Sequence, residues 1–380
     1  MSLRAVLLGV LVGSAFAAAC GGNKCGTPIR PCSNSVAYGG SGGDASTRDA
    51  GVAADSGEGS SGDAGTQLLI GVGSFGLRGR SEDGSDWRFC GNPAQGDDHT
   101  PDLLRAVAYG GGVFIAVGGD QNGRVMRSVD GEHWAEDVHP RDACPGEDYP
   151  SSCSSWMGAV AYDPIAQVWL AGGGNGATMR SLDGGSTWQG LHRGFPEKHI
   201  RGLVAGAGVF IASSDGGDVY ITRDAGESWT GGNVWSGANN AYLRVVHGTH
   251  FIAYSEAGDA CFVSDNRGDS WQPCAAEAHG GTAYLFDGKQ WIAARGDHYA
   301  TSMNARDWTT HPAAARMPER LLFDGTTYFG RSKGTVYRAS ALDAFEVVAS
   351  QVPDFRAWTL GRVLDRNLPV TGIAACVDRR

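Results

Sequence analysis

The residues best placed to do chemistry in this sequence are arginines. Arg105, Arg201, Arg244 and Arg356 each stand second in an apolar run: Leu104-Arg105-Ala106-Val107, Ile200-Arg201-Gly202-Leu203, Leu243-Arg244-Val245-Val246 and Phe355-Arg356-Ala357-Trp358. A guanidinium is planar, always charged and able to grip a carboxylate or phosphate with two parallel N–H groups. Several of them around one opening suit an anion. The same placement suits salt bridges between neighbouring repeats, and the sequence weighs the two equally. Asp98, His99, Tyr149 and His199 lie in polar segments between such runs and are further ligand-binding candidates. Glycoside cleavage needs two placed carboxylates, and no such pair can be assigned, so the catalytic residues are left open. There is no Cys-x-x-Cys spacing with histidine partners, so neither a metal nor another cofactor is expected.

The elements that must position these residues are repeats. Ser81-Glu82-Asp83-Gly84-Ser85-Asp86-Trp87 recurs as Ser128-Val129-Asp130-Gly131-Glu132-His133-Trp134 and as Ser181-Leu182-Asp183-Gly184-Gly185-Ser186-Thr187-Trp188. Further copies run from Thr222 through Asp224 to Trp229, from Ser264 through Asn266 to Trp271, and from Ser302 through Asn304 to Trp308. A decayed copy spans Ser340 to Phe345. Asp or Asn before Gly makes a tight turn, the Ser or Thr hydroxyl satisfies backbone groups in it, and the Trp buries its ring between sheets. The motif resembles the Asp-box, or BNR, repeat of sialidases, sortilin-type receptors and related β-propellers. The resemblance implies a structural role for Asp83, Trp87, Asp130, Trp134, Asp183, Trp188, Asp224, Trp229, Asn266, Trp271, Asn304 and Trp308.

The aromatic positions 87, 134, 188, 229, 271, 308 and 345 are 37 to 54 residues apart, which is room for four short strands each. The expectation is an all-β fold: a seven-bladed β-propeller of four-stranded antiparallel blades, spanning 67–380. In blade two the strands are expected at Leu104–Tyr109, Val113–Val117, Arg124–Ser128 and Trp134–Asp137. Blade one starts at a second-strand pattern, Leu68-Leu69-Ile70-Gly71-Val72-Gly73, so its inner strand must come from elsewhere. The C-terminal Phe355-Arg356-Ala357-Trp358-Thr359-Leu360 fits, and closes the ring without open edges. Antiparallel order then puts every box turn on one face. The long links between blades, including the insertion from His139 to Ser155, lie on the other face, where the arginines also start their strands.

Glycine is 59 of 380 residues and charged residues are 19%, as suits a turn-rich β protein. A net charge of −10 argues against nucleic acid as a partner. Residues 1–19 read as an export signal, and Ala17-Ala18-Ala19-Cys20 resembles a bacterial lipobox, which implies lipidation at Cys20. Of residues 33–66, 26 are Gly, Ser, Ala or Asp, so 20–66 reads as a flexible tether. The expected location is the bacterial cell envelope, anchored by lipid, in the outer membrane or secreted, with the membrane touched only through that anchor. Of nine cysteines, eight remain if Cys20 carries lipid. The expected pairs are Cys25–Cys32, Cys144–Cys153, Cys261–Cys274 and Cys90–Cys376.

Sialidases grip the substrate carboxylate with an arginine trio and carry an Arg-Ile-Pro type motif before the first blade. Here Pro28-Ile29-Arg30-Pro31 lies in the tether in the wrong order, and no Tyr–Glu nucleophile pair can be matched. The chain also resembles the photosystem II assembly propellers, which implies a non-catalytic platform. The function expected is therefore binding or scaffolding of a protein or glycan at the long-loop face, by a monomer. A sialidase-like glycoside hydrolase and a structural envelope protein without a discrete ligand are the alternatives.

Overall fold

The computed structural model describes residues 65–90, 103–120, 122–135, 138–140, 143, 155–191, 194–236 and 243–363. It is an all-β ring of seven antiparallel blades. Blade three (Met157–Asp163, Val168–Gly173, Thr178–Ser181, Gln189–Gly190) and blade four (Ile200–Gly206, Val209–Ser214, Asp218–Thr222, Thr230–Asn233) show the plan, running inner to outer in chain order. Blades five, six and seven start at Arg244, Ala283 and Arg320. In blade one Ala357–Val363 pairs antiparallel with Thr66–Val72, so the C-terminal strand is innermost and closes the ring. Blade two has three full strands, Leu104–Gly110, Val113–Gly118 and Arg124–Ser128. At its fourth position the Ala135 N–H donates to the Arg127 carbonyl at 2.7 Å and Val138 bridges Val125, along the expected outer strand and one residue past it.

Alternation sends successive side chains to opposite neighbours. Leu68, Ile70 and Val72 pack against blade two, whereas Leu69 packs against blade seven with Phe329 and Val336. Each of the seven blade-to-blade interfaces buries its own apolar cluster. The core is thus a ring of seven seams, which explains why the first two strands of each blade read as nearly unbroken apolar runs.

The turns between third and fourth strands share one hydrogen-bond scheme. In blade three Ser181 Oγ donates to Asp183 (2.8 Å), the Gly185 N–H donates to Ser181 Oγ (2.9 Å), and Thr187 N–H donates to Asp183 (2.9 Å). The Trp188 indole then donates to the Gly185 carbonyl at 3.1 Å. Blades two, four and five repeat the hydroxyl-to-glycine bond at Ser128–Gly131, Thr222–Gly226 and Ser264–Gly268. A Cβ on Gly185 would lie 2.4 Å from Ile115 of blade two, so glycine lets the turn seat on the preceding blade. Ion pairs stitch the same face from blade to blade: Arg80–Glu132 (2.8 Å), Arg180–Glu227 (2.8 Å), Arg223–Asp269 (2.5 Å) and Arg306–Asp265 (2.5 Å).

Candidate functional site

The opposite face carries the starts of the inner strands. In blades two, three and four that start is irregular: the register shifts between Leu104 and Ala106, between Met157 and Ala159, and between Ile200 and Gly202. The extra residue in each is Arg105, Gly158 or Arg201. A bulge re-aims its side chain out of the regular ladder, so blades two and four present arginines at equivalent places. Blade three presents glycine instead, and the gap is used by Trp156. A Cβ on Gly158 would lie 2.5 Å from the Trp156 ring.

Arg105 and Arg201 both lie over that ring, their guanidinium carbons 4.9 Å and 5.1 Å from its centre. Arg201 is held from behind by Asp215, in the turn after the second strand, through Nε (2.6 Å) and Nη2 (3.4 Å). Arg105 Nε donates to the Gly119 carbonyl at 3.4 Å. The His199 ring lies tilted against Trp156, with ring centres 5.4 Å apart. Its Nδ1 accepts the Asn175 N–H at 3.1 Å, which leaves the ring proton on Nε2. Burial holds this imidazole below its ordinary value; Asp215 opposes that and Arg201 adds to it.

Arg244 is placed differently. Its side chain is 2% exposed, and its Nε donates to Glu256 Oε1 at 2.5 Å. Arg320, the first residue of the blade-seven inner strand, reaches the same oxygen. Arg356 is half-buried at the foot of blade one, with its N–H on the Val72 carbonyl at 2.7 Å. The four arginines therefore do not form one uniform ring. Arg105 and Arg201 join through Trp156, whereas Arg244 is buried against an acid. Asp98, His99 and Tyr149 lie outside the described residues, as do Cys20, Cys25, Cys32, Cys144, Cys153 and Cys376. Cys261 and Cys274 are joined, with Cα atoms 5.4 Å apart. Cys90 is also disulfide-bonded.

Trp156 and Arg320 were not among the sequence-derived candidates. Arg320 begins Arg320-Leu321-Leu322-Phe323, the same strand-start position as the other arginines, so the alignment could have found it. Trp156 ends a polar insertion, and no pattern marked it. Among the described residues no three His, Cys, Asp or Glu side chains are grouped to hold a metal ion.

No protein-family model matches the sequence, and no curated protein is similar to it in sequence. Similarity to solved structures is broad but distant. The GH74 xyloglucanase of Xanthomonas campestris matches with a TM-score of 0.50 at 16% identity, over 76% of this chain and 55% of that one. YCF48 from Cyanidioschyzon merolae matches with a TM-score of 0.49 at 16% identity, over 67% of this chain and 88% of that one. YCF48 bound to D1 peptide matches with a TM-score of 0.48 at 15% identity, over 67% and 86%. At such identities the likeness is one of fold.

Proposed function

We propose that this protein is a non-catalytic binding module of the bacterial cell envelope, which takes an anionic segment of a protein or glycan at the mouth formed by Arg105, Trp156 and Arg201. The observation that carries this reading is the shared cation–π contact, with guanidinium carbons 4.9 Å and 5.1 Å from one indole centre. Contact with the ring restrains each guanidinium before a ligand arrives, so less side-chain entropy is lost on binding. The carboxylates beside the mouth argue against hydrolysis. Asp215 faces Arg201, and Glu256 faces Arg244 and Arg320. Both carboxylates are engaged by guanidinium groups, whereas a sialidase-like glycosidase needs a pair of carboxyl groups flanking the bond to be cleaved.

The hydrogen-bonded turns are the chemistry expected of Asp-box repeats, and kinship with that family belongs to the same reading. So do lipidation at Cys20, a tether over 20–66, and a monomer that meets the membrane only through its lipid. The test is the purified full chain on a broad glycan array and in envelope cross-linking, with retained protein and released sugar read together. Retention without release, lost in Arg201→Glu, is the expected result. Release of sugar would sink the non-catalytic reading. Neither retention nor a cross-linked partner would leave only a structural role.

A further inference from the structure

The far side of the mouth holds a carboxylate already. Arg244 opens the inner strand of blade five and Arg320 that of blade seven, both on the face of the long links. Glu256 sits in the turn between Phe251–Tyr254 and Cys261–Ser264 of blade five. Its Oε1 accepts from Arg244 Nε at 2.5 Å and from Arg320 Nη2. The second bond links blade five to blade seven past blade six, whose inner strand begins at Ala283.

We propose that Arg244 and Arg320 form a carboxylate-binding cradle that the chain fills with its own Glu256, and whose external ligand is a glutamyl side chain on an acidic peptide segment. This goes beyond the Arg105–Trp156–Arg201 reading and uses none of its residues. Three features support it. Arg244 is 2% exposed, and a guanidinium so buried requires an anionic partner. Glu256 is 29% exposed, so its carboxylate can be reached and exchanged from solvent. Both arginines converge on one oxygen, so a single carboxylate held there engages two charge-assisted donors at once. The Gly258 N–H donates to the Ser255 carbonyl at 3.0 Å and Ser255 Oγ donates to Asp259, so the turn is closed beneath Glu256. Exchange therefore needs the Glu256 side chain to swing out and leaves the turn in place. The cradle already accepts a glutamyl side chain, which favours peptide over sugar acid.

The experiment titrates the full chain and its Glu256→Ala variant with N-acetylglutamate methylamide, the matching glutamine amide, and glucuronate, by calorimetry and thermal shift. The glutamate probe should bind Glu256→Ala at least about tenfold more tightly than wild type, because Glu256 no longer competes for the two guanidinium groups. It should also raise the variant's melting temperature. The glutamine probe should not bind, and adding Arg320→Ala should abolish binding. If Glu256→Ala does not fold, the isosteric Glu256→Gln chain carries the titration and should bind with intermediate strength. Equal binding to wild type and variant, or none to either variant, overturns the cradle. Glucuronate binding as tightly as the glutamate probe overturns the peptide assignment. Loss of retention in Arg201→Glu leaves these outcomes untouched, so the two readings fail separately.

Discussion

The Arg201 guanidinium lies 5.1 Å from the centre of the Trp156 ring while its Nε donates to Asp215 at 2.6 Å. The ring fixes the plane of the cation and the acid fixes its rotation. Trp156→Ala removes the plane and leaves the ion pair. Cation–π contacts contribute on the order of 0.5–2 kcal/mol each. Trp156 is only half-buried, so global stability should fall modestly. Ligand retention should fall by about tenfold, since both arginines lose their orientation. Trp156→Phe should keep most of it. Wild-type retention by the alanine variant would place the binding surface elsewhere.

Gly173 ends the second strand of blade three, and a Cβ there would lie 1.8 Å from the Trp156 carbonyl. The Gly173→Ala change must push the start of the inner strand outward and carry Trp156 with it. Gly118 has the same relation to the Leu103 carbonyl at 2.0 Å in blade two. Blade four carries Ser214 at the equivalent register, opposite Ile200, so a strand start can adapt to a side chain. The expected cost is therefore that of ordinary overpacking, about 1–3 kcal/mol by urea unfolding. Retention should drop with it. Stability lost without any change in retention would show that the Trp156 position is not set from this glycine.

The ring was legible because its signals are redundant. Five good copies of one turn with a weaker sixth, blade-length spacing and a first blade lacking an inner strand each imply the same closure, and Thr66–Val72 pairing with Ala357–Val363 is the outcome. The mouth was legible only in outline. Arg105 and Arg201 could be aligned, but their bulges cannot be read from residue types, because the inner strands are nearly unbroken apolar runs in which one residue of register shift leaves no mark. Trp156 sits where blade three has glycine in place of arginine, and that exchange matters only once the three blades stand side by side. Glu256 was hidden for a different reason. Its bond to Arg320 spans 64 residues and skips a blade, and no local pattern encodes such a contact.

His247 ends the inner strand of blade five, with its ring 4.5 Å from that of Phe251. Burial pulls its imidazole from 6.5 to about 4. The folded state thus favours the neutral ring. The stability this gives is present above the unfolded value and is lost as pH falls from about 6.5 towards 4. Blade six ends its inner strand with Phe286, which packs on Gly248 as His247 packs on Gly206. His247→Phe should therefore keep the packing and flatten the pH dependence in that window. A second acid loss should remain below it. Asp183, lowered from 3.8 to about 2 first by its bond from Thr187, gives stability that fades only as pH falls towards 2. Melting temperatures of both chains from pH 7 to pH 3 decide the matter. An unchanged slope between pH 6.5 and 4 would mean that other groups carry it.

The outer strand of blade five is two residues long, Gln272–Pro273. Proline has no N–H to give to the ladder, so this edge is a weak place to end a blade by backbone pairing alone. The chain ties it covalently instead. Cys261 and Cys274, 13 residues apart, close the turn that contains Asn266, and the Cys274 N–H donates to the Cys261 carbonyl at 3.0 Å. Closing a loop of that size contributes about 2–3 kcal/mol by restricting the unfolded chain. The expected result for Cys261→Ala with Cys274→Ala is a loss of that size in urea unfolding. Amide exchange at 272–274 should speed up most. Cys261 and Cys274 themselves pack in the seam between blades five and six, but that seam and the one between blades four and five also hold the first two strands of blade five, through Val246 and Ile252 and through Val245 and Ala253, so the amides of those two strands should keep their protection until global unfolding. Loosening that spreads evenly through blade five would mean that the disulfide holds the whole blade and not its edge.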